Sequence, residues 1–388
     1  MWFSRYWCFS NKVTGAIVVY MSEEQNIQTV TSATSPKVVL LGTSGGPRWW
    51  GERAGIATAV VVDGFFYLVD CGSGVGRQLQ SAGLELEHLR GIFVTHMHSD
   101  HVVDLASLGI FGMFELEYYT GPKIPIVGPA DRGQVVRASP RADEDPGVLY
   151  PEEPTPGIEG FWEHSMRAHA TDLNDRIRDS LRPSPSSLFE PREIDIPDSA
   201  GFHANNNPVP EIDPFEVFRD ELVTVTATLV KHPPMAPAFA FRFDTRHGSV
   251  TISGDTAPTQ NLVRLARNTD LLLHEVIDNE WITERYGNGS TPESKTMIDH
   301  HLNSHTTIEE TARVANDSNA DTLVLHHFVP GNRPLQIWER VHENHGQAIV
   351  GRDLMEIHFG KAYVRTRSGD QDSKTSLADA VPVETLKL

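Results

Sequence analysis

Cysteine is nearly absent: Cys8 and Cys71 are the only two in 388 residues. No disulfide framework can hold such a chain, and a reducing, cytoplasmic setting is expected. Long apolar runs are also missing. Nothing approaches the roughly 18 consecutive apolar residues of a helical membrane span, so no membrane partner is expected. Positive charge is scarce, with 33 Lys and Arg against 52 Asp and Glu, a formal net charge of −19. A chain so acidic repels polyanions at long range. The expected partner is therefore a small-molecule substrate and not a nucleic acid. What the chain does have is a hydrophobic share of 39% and a charged share of 22%, enough to bury a sizeable core. It also has 18 histidines, whose placement decides whether they matter.

The opening residues, "MWFSRYWCFSNKVTGAIVVYMSEEQN", set Arg5 and Lys12 around a short apolar stretch with no small-residue cleavage site. They read as a disordered leader over 1–36 rather than as a signal peptide, with Met21 opening a more ordinary beginning. A polar tail over 368–388 reads as disordered. Between them, 37–367 reads as one α/β domain. "KVVLLGTSGG" is a buried strand ending in a glycine turn, and "ATAVVVDG" with "FFYLVDCGSG" is a hairpin turning at Asp63-Gly64. Strands and helices alternate to Pro129. Residues 130–220 are rich in proline and acid and read as an insertion with one anchoring helix, "FWEHSMRAHATDLNDRIRDS". Excursions of this length inside a domain are often lids, so Trp162, Met166 and Asn174 are candidates to face a pocket. Regular structure resumes at "ELVTVTATLVKH" and runs to "DLMEIHFG".

The densest chemistry is in "VTHMHSDH", where His96, His98, Asp100 and His101 follow an apolar strand. A loop leaving a strand end can aim its side chains at one point, and imidazole and carboxylate are metal ligands. Four ligands cannot complete two metals, so others should lie at later strand ends. His232 in "LVKHPP", Asp255 in "TISGDT", His274 in "LLLHEV" and the pair His326 and His327 in "LVLHHF" all do. Adjacent strand residues point to opposite faces, so only one of His326 and His327 should reach the metals.

With these residues the chain resembles the metallo-β-lactamase superfamily, whose signature is His-x-His-x-Asp-His, and within it the ribonuclease Z and arylsulfatase-like branch. "LLGTSGGP", "YLVDCG", "SGDT", "LLLHEV" and "SHTTIEETA" look like that branch's blocks. The resemblance implies a four-layer αββα sandwich with an inserted lid-like segment. It also implies two zinc ions per chain at one edge, with Mn2+ or Fe2+ compatible with the same ligand types. His96, His98 and His232 would hold the first metal, Asp100, His101 and His327 the second, and Asp255 would bridge. His327, three residues before Pro330, matches the block better than His326. Asp100 would orient a bridging hydroxide, and His274 would serve as general acid or oxyanion stabiliser. His305 reads equally as a supporting residue or as part of a surface cluster with His300 and His301. Relatives pair as homodimers, and the same is implied here.

The leading expectation is a dinuclear zinc hydrolase of a small ester-type bond, such as an aryl sulfate, phosphodiester, carboxylic ester or lactone. A ribonuclease Z-type endonuclease for transfer RNA 3′ processing is the alternative. It ranks lower because the acidic insertion does not look like the basic, glycine-rich arm of those enzymes. An iron redox enzyme or a non-catalytic metal-binding domain fits less well with a full second-metal set.

Overall fold

The computed structural model describes residues 35–139 and 141–360. The expected leader, apart from its last two residues, and the expected tail lie outside them. The first sheet takes β1 (Lys37–Gly42), β2 (Ala57–Val62), β3 (Phe65–Val69), β4 (Leu89–Phe93), β5 (Ile124–Gly128) and β6 (Phe189–Glu193). The second takes β7 (Phe215–Arg219), β8 (Val223–Leu229), β9 (Phe239–Thr245), β10 (Ser249–Ile252), β11 (Leu271–Ile277), β12 (Thr322–Val329) and β13 (Ala348–Val350). The last strand, β14 (Met355–His358), crosses back to pair with β1, so the sheet orders are β14-β1-β2-β3-β4-β5-β6 and β13-β12-β11-β10-β9-β8-β7.

Both faces of these sheets are covered, which is why their strands are near-continuous apolar runs. In β1, Val38 and Leu40 enter the layer between the sheets, where they join Val225, Phe241 and Leu273. Val39 and Leu41 face the opposite way, into a helical layer. That layer holds α1 (Val75–Ser81), α2 (Ser99–Val102), α3 (Leu105–Glu115), α4 (Ile158–Ala168), α5 (Ala170–Asp179) and α6 (Pro185–Leu188). The second sheet is backed by α7 (Gln260–Leu265) and by α10 (Ile308–Ser318), with α8 (Asn279–Tyr286), α9 (Pro292–Ser304) and α11 (Leu335–Trp338) beside them. Two sheets between helical layers make the αββα sandwich. In the middle, Phe93 meets Phe218, Phe241 and Phe243 edge to face at 5.2–5.7 Å.

Local signals act as their chemistry requires. Asp63 and Gly64 both take positive φ in the β2–β3 turn. Thr307 and Glu310 form a capping box that starts α10, and Asn319 ends it in the left-handed conformation. The segment 130–220 departs from the single-helix insertion expected there. It carries two long helices, divided at His169, and supplies an edge strand to each sheet. Its expected lid residues do not face a pocket. Trp162 packs on Phe189 with ring centroids 5.5 Å apart, Met166 joins the same helical layer, and Asn174 faces solvent. Among the described residues, no helix is long and apolar enough to cross a membrane.

Candidate metal centre

Strands β3, β4 and β5 run parallel, as do β10, β11 and β12. β8 is antiparallel to β9, and β9 to β10, so β8 points the same way as β10. The residues that follow these strands therefore emerge at common sheet edges, where ligands bind in α/β sheets. His96, His98, Asp100 and His101 follow β4, His232 follows β8, Asp255 follows β10, and His327 lies near the end of β12.

These side chains converge. His96 Nε2 lies 3.0 Å from His98 Nδ1, and His232 Nε2 lies 3.0 Å from that same atom. His101 Nε2 and His327 Nε2 are 3.2 Å apart, and Asp100 Oδ2 is 3.6 Å from each. Asp255 stands between the two groups. Its Oδ2 faces His96 at 4.0 Å and His232 at 3.7 Å, while Oδ1 faces His101 at 3.4 Å and His327 at 3.2 Å. Oδ1 is buried with no hydrogen-bond partner.

The opposite ring nitrogens are already committed. His232 Nδ1 donates to the Ser304 carbonyl at 2.7 Å, and His101 Nδ1 donates to Asp70 Oδ2 at 2.8 Å. Each of these rings then turns its Nε2 to the cluster. Asp70 sits at φ 62°, and its carboxylate also accepts from the Thr95 amide at 2.8 Å, which fixes the start of the histidine loop. Burial, followed by the neighbouring imidazoles, holds His96 well below the usual histidine range, and burial draws His232 down to about 3. Burial pushes Asp255 up, but the facing imidazoles outweigh it and keep the carboxylate ionised. Burial lowers the His101 pKa, but the Asp255, Asp70 and Asp100 carboxylates outweigh it and raise it well above the usual histidine range. Imidazoles and ionised carboxylates crowded around buried, unpaired lone pairs are the chemistry of a divalent metal site.

His326 and His327 separate for a reason the alternation rule does not contain. The β11–β12 register shifts between Glu275 and Val276, and His327 takes φ 46°. The irregularity turns His327 into the cluster. His326 stays buried with neither ring nitrogen hydrogen-bonded, and burial draws it down to about 3. The β1–β2 loop closes behind His327 so tightly that a Cβ on Gly45 would lie 2.8 Å from its Nδ1.

His274 is a correction. Its same-parity strand neighbours, Leu272 and Val276, pack into the helical layer. His274 is fully buried on that side, and its Nδ1 donates to the Glu275 carbonyl at 2.7 Å. Glu275 takes the other face. Its Oε1 accepts from His305 Nδ1 at 3.2 Å and from the amides of Thr306 and Thr256, each at 3.1 Å. The His305 ring lies 5.1 Å from that of His232, and its ligand atoms group with those of His232 and Asp255. Burial lowers the His305 pKa, but the Glu275 carboxylate more than offsets this and raises it. The residue beside the cluster is thus His305. Period-two alternation in "LLLHEV" would have found it, because the face that buries Leu273 between the sheets is the face of Glu275.

Residues 157–328 match the family model of the Beta-lactamase superfamily domain, and residues 56–130 match that of Anti-Pycsar protein Apyc1. Ribonuclease Z of Mycobacterium bovis (strain BCG / Pasteur 1173P2) is 28% identical over 333 residues, 83% of this chain and 98% of that protein. Ribonuclease Z of Mycolicibacterium gilvum (strain PYR-GCK) is 27% identical over 332 residues, covering 84% and 97%. The structure of human tRNase Z, short form, superposes with a TM-score of 0.55 at 21% identity, over 84% of this chain and 100% of that one. These matches support a metallo-β-lactamase superfamily member of the ribonuclease Z branch. They indicate a metal-dependent hydrolase, and its clustered His and Asp residues are grouped closely enough to hold divalent metal. The same relatives overturn the expectation of a small-molecule substrate and no nucleic acid. That expectation came from the acidic insertion, which does not look like a basic arm, and from net charge, a sum over the whole surface that does not describe the field at one edge.

Proposed function

We propose that this metallo-β-lactamase-fold enzyme is a ribonuclease Z-type endonuclease that cuts the 3′ trailer from precursor transfer RNA, and that it uses two zinc ions. The observation that carries the reading is the position of Asp255, with one oxygen toward His96 and His232 and the other toward His101 and His327. This is what two neighbouring cations would require. His96, His98 and His232 would hold one ion, Asp100, His101 and His327 the other, and Asp255 both. Bound there, the ions supply Lewis acidity, making water acidic enough to attack near neutral pH and neutralising charge on the phosphate.

The chain's own groups handle the protons. Asp100, ionised and at the rim of the cluster, orients the attacking water and draws on its proton. His305 donates its Nε2 proton to the departing ribose oxygen as the phosphorus–oxygen bond breaks. Glu275, bonded to His305 Nδ1, holds the ring in the tautomer and orientation that this needs. The buried free thiol of Cys71 accords with a cytoplasmic setting.

The test is incubation of the zinc-loaded full chain with a trailer-bearing precursor transfer RNA. Cleavage at the trailer junction is expected. Intact RNA beside turnover of a chromogenic phosphodiester would refute the reading. Metal analysis should find two zincs per chain, and Asp255→Ala should lose both together with activity. One iron and no zinc would overturn the metal assignment.

A further inference from the structure

A chain with a formal charge of −19 must hold RNA through a local surface that escapes its own carboxylates. Most arginines here do not offer one. Arg90, Arg176, Arg242, Arg264, Arg333 and Arg340 each lie against an acidic side chain. Two short loops differ. The loop after β5 reads "DRGQVVR" over 131–137, and a second reads "GFHANNN" over 201–207.

Neutral groups clasp the two loops. Asn205 Nδ2 donates to Gln134 Oε1 at 3.1 Å and to the Val135 carbonyl at 3.0 Å, and Gln134 Nε2 meets His203 Nε2 at 3.2 Å. The guanidiniums find only neutral oxygens. Arg132 donates to Asn205 Oδ1 at 2.9 Å and to the Pro234 carbonyl at 3.1 Å, and Arg137 donates to Asn206 Oδ1. Arg132 Nε is buried with no partner. The one acid in these loops, Asp131, turns away and accepts from the Gly133 amide and the Thr155 hydroxyl. Among the described residues, neither arginine has a carboxylate in ion-pair reach. A half-buried guanidinium without a counter-charge is costly unless an anion is to come.

The place is also right. Pro234 lies two residues beyond His232, and the Val94 amide, at the root of the histidine loop, donates to Val127 on β5, five residues before Arg132. The clasped loops therefore border the metal centre. We propose that loops 132–137 and 203–207 form a phosphate-binding rim that holds the RNA backbone beside the cluster. Arg132 and Arg137 engage phosphodiester oxygens as guanidinium forks. The asparagine amides offer sequence-neutral bonds to phosphate and ribose hydroxyls. This deepens the ribonuclease reading and rests on it for the choice of RNA.

The probe is a fluorescein-labelled precursor transfer RNA, titrated with metal-loaded full chain at several salt concentrations. Arg137→Gln keeps a hydrogen-bonding group at an exposed position and removes the charge. Arg132→Ala/Arg137→Ala removes both forks, and Arg167→Gln on α4 is the control. Kd should rise roughly tenfold for the single variant and further for the double. The slope of log Kd against log salt should fall by about one per arginine removed. The control should match wild type, and metal content should be unchanged throughout. An unaltered Kd and slope for Arg137→Gln overturns the proposal. So does an equal loss in the control, or a wild-type chain that does not bind this RNA. Cleavage reports separately: RNA bound through these arginines but left uncut refutes the ribonuclease reading alone, and RNA cut with arginine-independent affinity refutes the rim alone.

Discussion

His274 and His305 are the two residues on which the chemistry of the site divides. His305 faces the cluster with Glu275 behind it, whereas His274 is sealed on the helical side of β11. His305→Ala should lower kcat by roughly a hundredfold to ten-thousandfold, the usual scale for a general acid, with metal content and melting temperature nearly unchanged. His274→Ala should do the reverse, costing about 1–3 kcal/mol of stability and leaving kcat within a few fold, because it removes a buried hydrogen-bonded ring. Kinetics and thermal melts on the two variants decide it, and equal loss of kcat in both would sink the assignment. At this scale the clustered histidine loop was legible because four ligand-type residues crowd six positions after an apolar strand. The residue beside the cluster was not. Its position depends on which face of β11 each side chain takes, and "HEV" names two neighbours without saying which is turned inward.

Elements were legible where both faces of a strand are buried, since such strands appear as unbroken β-branched and aromatic runs. They were misread at the sheet edges. β6, "FEPRE", contains a proline and three charged residues, and β7, "FEVFR", is only half buried. Edge strands have one hydrogen-bonding partner and a partly solvated face, so their composition looks like loop. The bulge at His327 was also hidden, because alternation assumes a register that the strand does not keep. One link between the sheets is open to test. The Tyr67 hydroxyl on β3 donates to Asp220 Oδ2, just beyond β7, at 2.6 Å. Burial first, and then the Asp220 hydrogen bond, raise the Tyr67 pKa far above its ordinary 10.0. The proton is thus held more tightly in the folded chain than in the unfolded one. The stability it brings is fully present below pH 10 and is lost as pH rises above that toward the folded value. Tyr67→Phe should cost about 1 kcal/mol at neutral pH. In urea titrations the gap between wild type and variant should shrink above pH 10. A gap that widens there would refute the coupling.

For the whole molecule, composition indicated a sizeable buried core, and the partner it suggested was wrong. Net charge is an average, and RNA meets a small part of the surface. The proposed metal donors are also a whole-molecule feature. His96, His98, Asp100 and His101 belong to the first sheet, and His232, Asp255 and His327 to the second. Ions bound between them would clamp the two halves. Stripping the protein with a chelator should therefore lower its melting temperature by several degrees, and adding zinc back should restore it, because binding to the folded state alone adds RT ln(1 + [L]/Kd). An unchanged melt after verified metal loss would show that the clamp is not structural.

The return of β14 to β1 bears on the order in which the two sheets can be completed. Lys37 on β1 meets Glu356 on β14 at 2.7 Å, across 319 residues of chain. The first sheet is thus closed only by a strand that follows every strand of the second. A histidine loop already set on β4 must wait for His232, Asp255 and His327 from the second sheet, and for β14 to seal the first, so neither half of the cluster can be completed by its own sheet alone.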